Sequence, residues 1–91
     1  MSKDWRELIS ILPGNDIGVI EVLTNGKKLI SNSATFTAHV NSEATEITVS
    51  SDTCETIISK QDFLGFEHIG FNVAFHLDVF LKGNVTISFK A

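Results

Sequence analysis

Few residues in this chain are of types that do chemistry, and His76 and Asp78 are the most suggestive pair. They stand two apart in a stretch of alternating hydropathy, so on a strand both project from one face, and His68 falls on that same face further along if no bulge intervenes. Two imidazoles and a carboxylate can hold a metal ion with open coordination positions. The spacing argues against it, because His68 and His76 would lie roughly 25 Å apart on one extended strand. His39 belongs to a different segment, and nothing in the sequence sets its register against the other two. Ser88 completes, with His76 and Asp78, the composition of a hydrolytic triad. It falls inside a strand pattern, whereas hydrolase serines are usually presented on a strained turn or a helix start. Cys54 has no histidine at a spacing that would activate it and reads as a small buried hydrophobe. There is no CxxC, no HExxH, no glycine-rich phosphate loop and no dinucleotide fingerprint. The expectation is therefore no catalytic set, no metal and no cofactor.

Charge narrows the partners. Eleven acidic residues against seven basic ones give a formal net charge of −4, and the only adjacent basic pair is Lys27-Lys28. A phosphate backbone would be repelled, so nucleic acid is not expected. Phe63, Phe66, Phe71 and Phe75 are interleaved with Asp62, Glu67, Asn72 and Asp78, the wrong charge for a base-stacking platform. No apolar run approaches the roughly 18 residues of a membrane span, and the charged N-terminal residues do not resemble a signal peptide. With a single cysteine, disulfide stapling within the chain is excluded, which points to a reducing, cytoplasmic setting.

Those residues must be positioned by elements that the hydropathy pattern indicates. Trp5, Leu8, Ile9 and Leu12 recur at helical spacing, predicting an amphipathic helix over residues 3–12, capped by Ser2 and stopped by Pro13-Gly14. From about residue 17 to 90 the pattern is that of strands. Ile17 to Leu23 leads into Asn25-Gly26, a type I′ hairpin signal, with a returning strand over Lys27 to Ser31. Separate strands follow over Thr35 to Val40, Thr45 to Ser50 and Glu55 to Ser59. Ile69, Phe71, Val73, Phe75, Leu77, Val79 and Leu81 alternate strictly, predicting one long strand with Gly70 as a bulge. Lys82-Gly83-Asn84 closes a hairpin onto Val85, Ile87 and Phe89. At 91 residues this is material for a single domain.

The expected architecture is α+β, mainly β: an N-terminal amphipathic helix packed on a curved antiparallel sheet of six or seven strands. A small β-sandwich or barrel with a helix plug is the alternative. The functional expectation is a non-enzymatic protein-binding module, an inhibitor, immunity-type or anti-defence factor, that meets a basic protein through a sheet edge or its acidic, threonine-rich face. Glu43, Glu46, Asp52 and Glu55 carry that face, since no Lys or Arg occurs between Lys28 and Lys60. Asn72, His76 and Asp78 lie on a second face of small, lightly charged residues suited to a partner or a second copy in a homo-oligomer. From a different class, a small enzyme or ligand-binding protein would use a cup between helix and sheet, with His39, His76 and Asp78 as its polar groups.

Overall fold

The computed structural model describes residues 3–69 and 75–91. Helix α1 spans Trp5–Ile11 and runs into a 3-10 turn over Leu12–Gly14. The cap is Asp4 rather than Ser2: its carboxylate accepts from the Arg6 amide at 2.9 Å. Aspartate is as good a cap as serine, and starting there places Trp5 in the first turn. At the other end Pro13 removes a donor, and the Asn15 side-chain amide covers the Ile11 carbonyl at 2.8 Å. Lys3, Arg6, Glu7 and Ser10 are exposed, while Trp5, Leu8 and Leu12 are buried.

Seven strands follow: β1 Ile17–Thr24, β2 Lys27–Val40, β3 Glu46–Ser50, β4 Glu55–Ser59, β5 Phe63–His68, β6 His76–Leu81 and β7 Val85–Lys90. They form one antiparallel sheet in the order β4-β3-β2-β1-β7-β6-β5. Asn25 and Gly26 both take positive φ, 52° and 78°, the two-residue turn that the dipeptide predicts. Thr24 pairs with Lys27 directly across it. Gly83 at φ 83° and Asn84 at φ 58° close the β6–β7 hairpin.

Two strand expectations are corrected. Lys27 to Val40 is one 14-residue strand, not two. Its first part pairs with β1, while Thr37 to Val40 pair with β3, so β2 carries the sheet from one ladder to the next. A register shift at Gly18 marks the change, and a Cβ there would stand 3.0 Å from the Ala91 carbonyl carbon, a tight contact that only a shift of Ala91 would relieve. The second correction concerns the long alternating run. The chain reverses between His68 and His76, and β5 and β6 pair with one another, His68 opposite Leu77 and Phe66 opposite Val79. The expected bulge at Gly70 lies outside the described residues.

The sheet curls around the helix, and the two ends of the strand order are joined directly in sequence through a 3-10 turn over Lys60–Asp62. It is not closed into a barrel, so the helix-on-curved-sheet architecture holds and the plugged barrel does not. Trp5 locks the closure from both sides: its indole N–H donates to the Ala44 carbonyl at 2.7 Å, and its ring meets Phe63 edge-on with centroids 5.3 Å apart. Leu8 and Leu12 join Ile20, Ile47, Val49, Ile58, Leu77, Val79 and Phe89 in one core cluster.

Candidate functional site

The outer face of the sheet, away from the helix, carries most of the polar groups singled out above. It divides into two regions. Across the central strands the pairing aligns Glu67, Asp78, Ser88, Glu21 and Ser31 into one row spanning β5, β6, β7, β1 and β2. Glu21 is the pivot of that row. Lys90 Nζ reaches its Oε1 at 2.7 Å, Lys28 Nζ its Oε2 at 2.8 Å, and the Ser31 hydroxyl approaches Oε2 at 3.5 Å. The hydrogen bond from Lys28, then that from Lys90, pulls the Glu21 carboxyl down from 4.5 to about 2, against the opposing pull of burial. No sequence signal marks Glu21, because its lysines sit on neighbouring strands.

His76 and Asp78 do share a face and do meet: His76 Nε2 lies 3.1 Å from Asp78 Oδ1. The Ser88 hydroxyl donates to that same oxygen at 2.6 Å. A hydrolytic relay needs the imidazole between carboxylate and hydroxyl, so that it can take the serine proton. Here the carboxylate occupies the middle and the hydroxyl proton is given straight to it. Ser88 is also only 6% exposed, which closes it to a substrate.

His68 is corrected to the other face. It pairs with Leu77 and shares its side of the sheet, with its ring 5.5 Å from Phe75, whereas His76 points outward. The two imidazoles are kept apart by facing opposite ways, not by distance along a single strand. His39 pairs with Thr48 on β3 and lies 3.5 Å from the Thr37 hydroxyl, with β1 and β7 between its strand and that of His76. The three polar groups of the expected cup therefore do not converge. Among the described residues no group of three His, Cys, Asp or Glu side chains stands together as a metal-binding set. Cys54 is half-buried against the core beside the Ser51 hydroxyl at 3.6 Å.

The second region is the outer face of β3, β4 and the end of β2. Pairing of Glu46 with Ser59, Thr48 with Ile57 and Ser50 with Glu55 sets these residues on one side, with Ile47, Val49 and Ile58 beneath them in the core. Glu46 and Glu55 are exposed at opposite ends of the hairpin, Glu43 and Asp52 are exposed in its flanking turns, and Ile57 stands between them 52% exposed. None of these four carboxylates has an ion-pair or hydrogen-bond partner among the described residues. The β2–β3 turn is fixed rigidly beside them: Asn41 Oδ1 accepts from the Thr45 and Glu46 amides at 2.8 and 3.0 Å, and Ala44 is held at φ 57°. A shallow groove of about 500 Å³ lined by Thr45, Glu46, Ser59, Lys60 and Gln61 opens at that end.

No family model, curated protein or solved structure matches this chain. No helix among the described residues is long and apolar enough to cross a membrane. Of the residues expected to bind a partner, the structure gathers Glu43, Glu46, Asp52 and Glu55 on the β3–β4 hairpin and its turns, and places His76 and Asp78 in the internally bonded row. Asn72 lies outside the described residues.

Proposed function

We propose that this chain is a non-enzymatic protein-binding module whose recognition surface is the outer face of the β3–β4 hairpin, and that its partner presents a basic surface. One observation carries the reading: Ile57, half exposed, shares the outer face of the hairpin with Glu46 and Glu55, while Glu43 and Asp52 are exposed in the adjoining turns, and all four carboxylates are unneutralised among the described residues. An apolar centre inside a charged rim is the usual anatomy of a protein interface. The rim attracts a basic partner over a distance, and the isoleucine supplies contact once solvent is expelled. A small acidic module laid over a basic functional surface acts as an inhibitor or immunity-type factor by occupying it. The enzyme reading draws no comparable support, since His39 stands apart and Leu8, Leu12, Ile20 and Phe89 pack the space between helix and sheet.

The test is affinity capture from the native lysate with wild type and with Ile57→Asp, each at low and high salt. A basic protein retained by the wild type at low salt, released by salt and absent from the variant is the expected outcome. Equal retention by both would move recognition off this face.

A further inference from the structure

A second surface, far from the acidic face in charge, lies along the first part of β2. From Lys27 to Ser33 every residue is exposed, and among the described residues this part of the strand pairs only with β1, because β3 engages β2 at Thr37 to Val40. Among the described residues, its other edge therefore has backbone donors and acceptors without a strand partner, the template on which an added strand forms. On the core side the pairing builds an unbroken apolar row, Phe66, Val79, Ile87, Val22 and Ile30, that ends at this edge with Ile30 49% exposed. Leu29, at the register shift between Lys28 and Ile30, is 66% exposed. The row stops for want of a further strand.

Charge decides what the strand is. Lys28 and Lys90 share the one carboxylate of Glu21, which leaves a surplus positive charge at the edge, and exposed Lys27 adds another. Pairing with the same edge of a second copy would double those lysines on one short ladder, whereas an acidic strand neutralises them. We infer that the β2 edge over Lys27–Thr35 accepts an extended acidic segment of a partner protein as an additional strand. Its apolar residues continue the row past Ile30 on the core side, its carboxylates face Lys28 on the outer side, and exposed Lys27 adds attraction at the end of the ladder. This mode takes its affinity from main-chain hydrogen bonds and its selectivity from alternate side chains.

The site is separate from the acidic face, so the two proposals fail separately. The probe is a capped nonapeptide alternating glutamate with valine, added to the whole chain while amide hydrogen exchange and NMR shifts are followed residue by residue. Expected are new exchange protection confined to residues 27–35, weakening by about 10-fold or more in Lys27→Glu, and unchanged binding in Glu46→Lys/Glu55→Lys. A control peptide alternating lysine with valine should bind no better than an N-methylated acidic peptide that cannot form the ladder. Protection elsewhere, equal binding of the lysine peptide, or no binding at millimolar peptide would overturn the inference. So would protection of this edge that rises with protein concentration and not with peptide, which would assign the edge to a second copy.

Discussion

The two halves of the outer sheet face are built from the same residue types and behave as opposites. Across β1, β7 and β6, Glu21 and Asp78 are each held by neighbours, Glu21 by Lys28 and Lys90, Asp78 by His76 and Ser88. Across β3 and β4, Glu46 and Glu55 point at solvent with no such partners among the described residues. The difference follows from position in the sheet. Central strands have neighbours on both sides, so a carboxylate there is desolvated by surrounding side chains and is tolerated only when paired. The β3–β4 hairpin is peripheral, its carboxylates stay hydrated, and charge left unpaired there is available to another molecule. A carboxylate held by two lysines, as Glu21 is, thus belongs to the internal architecture of the sheet, whereas the proposed recognition surface uses carboxylates that stay exposed.

The sharpest contrast should come from the layer beneath both halves. Ile87 is 5% exposed in the middle of the core face of β7. Truncation by Ile87→Ala should cost about 2–5 kcal/mol in urea melts, through lost burial and the cavity left behind. Ile57→Ala, on the opposite side of the sheet and half exposed, should cost below about 1 kcal/mol. Similar losses for both would mean that Ile57 is not an outward-facing residue.

Within the paired half, Glu21 should impose a signature in acid. Its folded-state pKa of about 2 lies below the ordinary carboxylate value of 4.5. The stability it contributes is therefore fully present above the ordinary value and is lost as pH falls from there toward 2. Glu21→Gln should be less stable than wild type at neutral pH, and the gap should narrow as acid titrates the wild-type carboxylate. Chemical denaturation at a series of pH values between neutrality and 2 measures this. A gap that stays constant with pH would show that the lysines do not hold the carboxylate differently in the folded chain.

Much of the scaffold was legible because local chemistry and global fold agree. Asn25-Gly26 named its turn, Trp5, Leu8 and Leu12 their stripe, and Ile47 with Val49 their face. Legibility failed where a pattern persisted through a change of structure. Past the register shift after Phe63, core-facing residues are even-numbered in β5, as Phe66 shows, and odd-numbered in β6, as Leu77 and Val79 show, yet the apolar alternation continues from Ile69 into β6 with no strong turn dipeptide to interrupt it. The returning strand from Lys27 to Ser31 was legible, but its continuation through Asn32 and Ser33 was not, for the opposite reason: with one edge open among the described residues and no burial, no alternation is imposed there. In the site, the pairing of His76 with Asp78 follows from their spacing of two. The Glu21 cluster does not, since Lys90 lies 69 positions away and only the fold brings it near.

The smallest structural effect is expected where the functional effect is largest. Reversing Glu46 and Glu55 to lysine adds charge at two exposed positions that make no side-chain bonds among the described residues, so the double variant should melt within about 0.5 kcal/mol of wild type. Once a partner is in hand, the same variant should bind it more slowly, because unlike charge acts mainly on encounter. Raising salt should slow wild-type association toward the variant's rate while dissociation changes much less, since attraction between exposed charges is screened beyond about 8 Å at physiological ionic strength. Stopped-flow association rates for both proteins over a salt series separate these effects. If the two rates coincide at low salt, the acidic hairpin does not steer recognition, whatever its exposure. If the variant instead dissociates faster at every salt concentration with association unchanged, the carboxylates make short-range contacts in the complex and belong, beside Ile57, to the buried contact rather than to a steering rim.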